Sequence, residues 1–503
     1  MAEDPAATPP TAAGDPDAER YKRVGKMSAL YLAGAFVSKL AKFLLVPFYV
    51  RYLTKAEVGT VVFLDALILA LARLFPLGLN QAVKRFYPEV GGDRDGDRFT
   101  FGIWAVVLGF GAAGAGLAWA AAPVWTGAVA EAIPAGFLVL AVAIAGLQGN
   151  AAVPTTRFVA RQQPLAHTAY TTAQFILVTA CIVVGVGVLG RGVEGVLWGQ
   201  LAAYVAWTVL AGVLLGRWAG WRPSFSRVGA SLAFSVAVVP HLLFTWGITF
   251  ADRLILVRYV SLEAVGVYGV GYQIGSLITI FSLSVTNAWL ARFFRASEGD
   301  AGADEFAQTL TRMTLVLLAL SLATFALAPE LIAVAATSAY ADSVPILRMI
   351  AAAHVFHGLN QAFILPLFLK KRTGLVSAST GFGLVVNVGL NVLLIPRYGI
   401  TGAAVATIAS YVGIAVSSYV FARGVYPVRI EGARLGLASG LALALGAGAM
   451  LLPDLSLIHT LGRLALVAAF PAVLWAWPGG ALLTPADRAA ALAIPRRLRR
   501  RLG

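Results

Sequence analysis

An ungapped shift of 207 residues lays most of this chain onto itself. Val50-Arg51-Tyr52 returns as Val257-Arg258-Tyr259, Val58-Gly59 as Val265-Gly266, Asn80 as Asn287, and Arg85-Phe86 as Arg292-Phe293. Far downstream, Gly192, Gly195 and Tyr204 meet Gly399, Gly402 and Tyr411 in the same register. A register that survives about 150 residues without a gap marks two copies of one structural unit. The chain therefore divides into a tail at 1–21, a first lobe at 22–228, a second lobe at 229–432, an appended segment at 433–480 and a basic tail at 481–503.

Composition says what solvent the units face. Apolar and aromatic residues make up 59% of the chain and charged residues 13%, against about 25% charge in a soluble domain. Mean hydropathy is +0.79. About fourteen apolar segments of roughly 18–25 residues follow one another, each long enough to cross ~30 Å of hydrocarbon as a helix. Lipid offers the backbone no hydrogen bonds, so the segments are helices, and the alternation of a barrel strand is absent. The predicted fold is an all-α polytopic membrane protein: two six-helix repeats plus a C-terminal helix pair. An even number of spans per copy makes the repeats parallel, an arrangement used by transporters that rock two halves around one site.

The net charge of +15 reads as topology. With the N-terminus cytoplasmic, most Lys and Arg fall in cytoplasmic segments, including Lys84-Arg85, Lys370-Lys371-Arg372 and the run Arg496–Arg501. This is the positive-inside pattern with both termini inside. The charges are scattered through short loops, which argues against nucleic acid. Residues 1–19 carry no apolar run and read as a disordered tail without a cleavable signal. Cys181 is the single cysteine, so no intramolecular disulfide forms. No nucleotide loop, nucleophile–base set or Cys/His metal cluster appears, so no catalytic residue, metal or cofactor is assigned. Any driving force comes from an ion gradient or the membrane potential.

Charges left inside spans are costly and mark a path or a cavity. Lys39 and Lys42 share a face of the first span, Arg73 lies on the second, Arg253 beside Asp252 on the seventh, and Arg348 on the tenth. With Asp65 on the second span, cations outnumber acids. Such a set suits an anion, above all a phosphate or diphosphate. Asp65 and Asp252 are candidates for ion coupling or counter-ions, Asp65 to Lys39 or Arg73. A local ion pair is the plain alternative for Asp252-Arg253. Arg51 and Arg258, at equivalent span ends, read as snorkelling anchors. His354 and His357 share a face but make no metal site, Pro240 kinks the seventh span, and Asn80 reads as a helix-end cap.

The stretch Phe48-Tyr49-Val50-Arg51-Tyr52-Leu53-Thr54-Lys55-Ala56-Glu57-Val58-Gly59 resembles the opening of Wzx-type polysaccharide flippases of the multidrug/oligosaccharidyl-lipid/polysaccharide (MOP) exporter superfamily. So do Asp252-Arg253-Leu254-Ile255-Leu256 and the corner Asn391–Ala404, with Ile395-Pro396-Arg397-Tyr398-Gly399. The resemblance covers the first twelve spans. It implies two lobes around a central cationic cavity, through which a polyprenyl-diphosphate-linked oligosaccharide passes from the cytoplasmic to the outer leaflet of a bacterial inner membrane. It also implies a monomeric transport unit without a cofactor, coupled to H⁺ or Na⁺ or to neither, and working beside a polysaccharide polymerase. Carried over residue by residue, the cargo contacts are Lys39, Lys42, Arg73 and Arg253. A lipid II-type flippase and a cation-coupled drug exporter are the alternatives; the second wants cavity carboxylates, in which this chain is poor. A membrane-embedded glycosyltransferase would need a sizeable outer loop, and every loop here is short.

Across the repeat, Lys39 stands opposite Trp246, Lys42 opposite Thr249, Asp65 opposite Tyr272 and Arg253 opposite Val46. The charges that break the symmetry are the ones an asymmetric cargo would need.

Overall fold

The computed structural model describes residues 43, 45–124, 132–236, 239–280, 282, 300–453, 455–477, 482–485 and 487–488. Among these every regular element is helical, as backbone in lipid requires. Nine described helices are long and apolar enough to cross a membrane, and two bent pairs bring the number to eleven.

In chain order, α1 covers 45–52, α2 Lys55–Leu74, α3 Leu79–Phe86 and α4 Asp93–Ala120. Then come α5 Ala135–Ala151, α6 Val153–Ala160, α7 Pro164–Val183, α8 Gly192–Ala219 and α9 Val228–Val236. The second half opens with α10 Val239–Tyr259 and α11 Leu262–Gly275, followed by α12 Asp300–Ala326, α13 Ala328–Ala336 and α14 Ser343–Leu369. Thr373–Arg423, α15, turns back on itself at Gly399 (φ 55°, ψ −133°). The appended pair is α16 Gly432–Met450 and α17 Leu457–Ala476.

Three pairs related by the 207-residue shift do matching work. Thr54 caps α2, its hydroxyl accepting from Glu57 N at 3.2 Å, and Ser261 caps α11, accepting from Ala264 N at 3.2 Å. Gly192 (φ 52°) and Gly399 (φ 55°) both make corners in the left-handed region, where a Cβ would be strained. Gly59 and Gly266 lie against each other where α2 and α11 cross. A Cβ on Gly59 would stand 1.7 Å from Leu262 O, and one on Gly266 2.4 Å from Lys55 O. Small residues let helix backbones approach this closely in lipid; Gly111 of α4 and Gly146 of α5 do the same.

The second span is broken. Pro76 follows α2, Leu77 and Gly78 take positive φ, and α3 leaves at 43° to α2. Proline and an adjacent left-handed pair are sufficient cause for such a break. The seventh span bends by 46° between α9 and α10, with Pro240 in the first turn of α10, in line with the expected kink. The cap expected at Asn80 is not there: Gly78 is the N-cap of α3, and Asn80 sits inside the first turn.

The largest core joins α2, α5, α7, α8 and α11, around Phe63, Leu64, Leu138 and Ile144. The appended pair packs on α12 through Leu315, Leu322, Phe470 and Leu474.

Candidate functional site: charges between and within the two halves

One face of α2 meets the second half of the chain. Val62 lies against Gly269 of α11, and the carbonyl of Ala66 accepts from Trp246 Nε1 of α10 at 3.2 Å. Arg73 is seven residues past Ala66 and eleven past Val62, so it falls on this same face. There it is exposed. The helices are thus in contact at the Gly59 end, and a guanidinium stands uncovered two turns beyond the Ala66–Trp246 contact.

Asp65 points to another side of α2. It accepts from Gln200 Nε2 of α8 at 3.2 Å, and its charge acts on the hydroxyls of Tyr49 and Tyr204. The carboxylate is therefore held within the first half and does not pair with Arg73. Lys39 and Lys42 lie outside the described residues.

The Asp252–Arg253 pair is sequestered inside the second half. Asp252 is 1% exposed and Arg253 4%. Arg253 Nη1 donates to Asp252 Oδ1 at 2.6 Å and to Thr249 O at 2.6 Å. Tyr268 donates its hydroxyl to Asp252 Oδ2. The guanidinium lies 3.9 Å above the Tyr272 ring and 5.1 Å from that of Tyr268, a desolvated cation–π stack. Tyr272 and Tyr411 bring their hydroxyls to 3.4 Å, and the ring of His354 stands edge-on to both. His357 packs 5.1 Å from Tyr411. His354 Nδ1 is 2.8 Å from Ile350 O. No group of three or more His, Cys, Asp or Glu suited to a metal occurs among the described residues. Each charge in the pair is compensated, as burial demands.

Arg348 is drawn elsewhere. Its Nε donates to Phe325 O at 3.2 Å, and its guanidinium lies 5.2 Å from the Phe325 ring. It stands near the pair Glu330–Arg463. Arg463, fully buried on α17, reaches Glu330 of α13 at 2.6 Å and also donates to Leu452 O. This cluster ties the appended pair to the second half. Arg51 and Arg258 are both exposed at the ends of their helices, as anchors would be.

Besides Glu330–Arg463, sequence reading missed a second ion pair, buried at both ends. Asp97 of α4 and Arg157 of α6 are 4% and 3% exposed and bond twice, Nε to Oδ1 at 2.6 Å and Nη2 to Oδ2 at 3.0 Å. Tyr87 donates to the same carboxylate at 2.9 Å, and Trp218 stacks 3.7 Å under the guanidinium. Both residues lie near the ends of apolar runs and read as loop charges. No local signal singled them out: Asp97 is one of three acids between Asp93 and Asp97, and Arg157 has Arg161 four residues on.

Comparison with known proteins places this arrangement. The polysaccharide biosynthesis protein family matches residues 24–297. Among solved structures the chain is similar to the lipid II flippase MurJ in an inward closed conformation. Identity is 14%, TM-score 0.69, and the match covers 89% of this chain and 99% of that one. It is also similar to a multidrug resistance MATE family transporter of the MOP superfamily in its inward-facing conformation. There identity is 14%, TM-score 0.57, and coverage 79% and 93%. No curated protein matches the sequence. The family match spans more than half of the chain and the structural likeness nearly all of it. The chain therefore belongs to the polysaccharide biosynthesis protein family, with the fold of the MOP-superfamily membrane transporters.

Proposed function

We propose that this protein is a flippase for polyprenyl-diphosphate-linked oligosaccharides, moving them from the cytoplasmic to the outer leaflet of the bacterial inner membrane. The observation that carries the reading is Arg73. It is exposed on the face of α2 that two turns earlier engages α10, with no acid bonded to it among the described residues. A guanidinium there costs energy unless water or an anion meets it, and a diphosphate supplies the matching charge and geometry. Lys39 and Lys42 join the site. The repeat register sets Lys39 opposite Trp246, the residue that reaches α2 from α10.

Arg253 and Arg348 then act at one remove. Arg253 holds the second lobe's polar core together, and Arg348 supports the junction with the appended pair. Asp65 remains the coupling or counter-ion candidate of the first lobe. The lobes comprise residues 22–228 and 229–432, with both termini cytoplasmic, and they exchange access by rocking about the α2–α11 contact. The lipid tail stays in the bilayer throughout. A drug exporter would present carboxylates where Arg73 stands, and among the described residues none is bonded there.

The test is leaflet-resolved. Deleting the gene should trap a lipid-linked saccharide in the cytoplasmic leaflet, and the wild-type chain should release it. Lys39→Ala/Lys42→Ala/Arg73→Ala should insert normally and fail to release it. Absence of any trapped saccharide on deletion would remove the flippase reading, and full release by the triple variant would remove the site.

A further inference from the structure

A second polar site lies where the chain passes from one half to the other. Residues 220–227 run from α8 to α9 across the start of α4. This linker is pinned. Ser224 N donates to Arg98 O at 2.9 Å, and a Cβ on Gly102 would stand 2.1 Å from Ser224 O, so only glycine allows the approach. Between linker, helix and the turn at Glu89–Gly91 is a cavity of about 750 Å³, within the roughly 300–1,000 Å³ range of small-molecule sites.

The cavity carries an excess of positive charge. Arg98, Arg222 and Arg227 line it, against Glu89 and Asp95. The acids do not saturate the guanidiniums. Arg227 Nη1 reaches Glu89 Oε2 only at 3.5 Å, and Arg98 Nη1 reaches Asp95 Oδ1 at 3.1 Å, both longer than a tight charge-assisted bond of about 2.7–2.9 Å. Arg98 Nε is buried with no hydrogen-bond partner, a cost that a bound acceptor would remove. Arg222 is exposed and carries no ion pair among the described residues. The linker hydroxyls of Ser224 and Ser226, 3.1 Å apart, add donors beside them.

The linker also says where the ligand comes from. Trp221 is 60% exposed and Phe225 53%, one on each side of Arg222. Large aromatics beside a cation on an exposed segment are the signature of a bilayer interface. We propose that this cavity binds the phosphate headgroup of an anionic membrane phospholipid, clamping the lobe-to-lobe linker to the membrane. None of the residues proposed above to meet the cargo lines this cavity. It rests on the orientation proposed above only in naming the cytoplasmic leaflet as its source.

The experiment uses the full chain in mixed phosphatidylcholine–phosphatidylglycerol nanodiscs, with retained lipids counted by native mass spectrometry. Wild type should retain phosphatidylglycerol preferentially. Arg222→Gln, exposed and therefore safe for folding, should cut that retention by about fivefold, the weight of one interfacial arginine. Glu89→Gln should raise it, an effect that a purely structural role would not produce. Adding Arg98→Gln and Arg227→Gln to Arg222→Gln should abolish the preference. Unchanged retention in Arg222→Gln would overturn the proposal. So would protection from thermal unfolding by inorganic phosphate alone, without lipid, equal to that by phosphatidylglycerol, because the occupant would then be a soluble phosphate. No cargo is present in the measurement. A chain that retains lipid through Arg222 but releases no saccharide fails the flippase reading alone.

Discussion

Gly59 and Gly266 touch backbone to backbone where α2 crosses α11, each pressed on the carbonyl that precedes the other by four residues. The two carbonyls, those of Lys55 and Leu262, are themselves partners in the 207-residue register. The contact is reciprocal. A side chain larger than hydrogen at either position wedges the halves apart at this end.

Gly59→Leu or Gly266→Leu should therefore destabilise the observed conformation by about 1–3 kcal/mol through overpacking. Spin-label distances between α2 and α11 near these residues should lengthen, and export should fall. Distances unchanged in both variants would mean that the contact is incidental to the cycle.

The buried pairs predict an asymmetry between single and double changes. Arg253→Met leaves the Asp252 carboxylate buried without its cation, so it should cost about 3–5 kcal/mol. Asp252→Asn with Arg253→Met should cost less than Arg253→Met alone. Asp97 and Arg157 should behave in the same way. A double-mutant cycle read by thermal unfolding in detergent decides it, and additive losses would deny the coupling.

Arg73 should separate stability from transport. It is exposed at the end of α2, so Arg73→Ala should leave unfolding within about 0.5 kcal/mol of wild type. Saccharide release should drop by about tenfold or more, the value of one charge-assisted bond to phosphate. Arg73→Lys should restore part of that loss.

The segment after α17 carries a pH dependence. Burial alone would raise the Asp487 carboxyl. The bonds from Thr484, Arg312 and Arg434 outweigh it and hold the group down to about 2, against about 3.9 in an unfolded chain. A depressed carboxyl stabilises docking above its unfolded value, and that stabilisation is lost as pH falls from about 4 to about 2. Proteolytic cleavage within residues 482–488 should accelerate across that window. Asp487→Asn should show the fast rate already at pH 7.

Much of this molecule is local in origin. The caps at Thr54 and Ser261, the corners at Gly192 and Gly399 and the bend after Pro76 follow from nearest neighbours; of these only the repeated glycines stood out in the sequence, where the cap was expected at Asn80 instead. The repeat register is legible too, because each copy had to keep its own turns and close approaches. Arg51 and Arg258 read correctly as exposed helix-end groups for the same reason: a helix end near an interface decides the matter by itself. Asp252 and Arg253 are adjacent, so their ion pair could be weighed from spacing alone.

Partners that come from elsewhere in the chain could not be seen. Asp97 and Arg157 are sixty residues apart, on helices whose relative rotation only packing sets. Arg463 meets Glu330 across an even longer separation. The same limit applies to Asp65, which accepts from Gln200, 135 residues on. The sequence by itself determined the membrane solvent, the helices and the 207-residue register. Those follow from hydropathy, period and charge counts, which are sums along the chain. Tertiary structure decided which cations are spent on internal acids and which stand uncovered. Arg253 is enclosed by Asp252, Tyr268 and Tyr272, while Arg73 stays open on the face between the halves. Desolvation and pairing depend on what arrives from distant helices, and no local pattern encodes that.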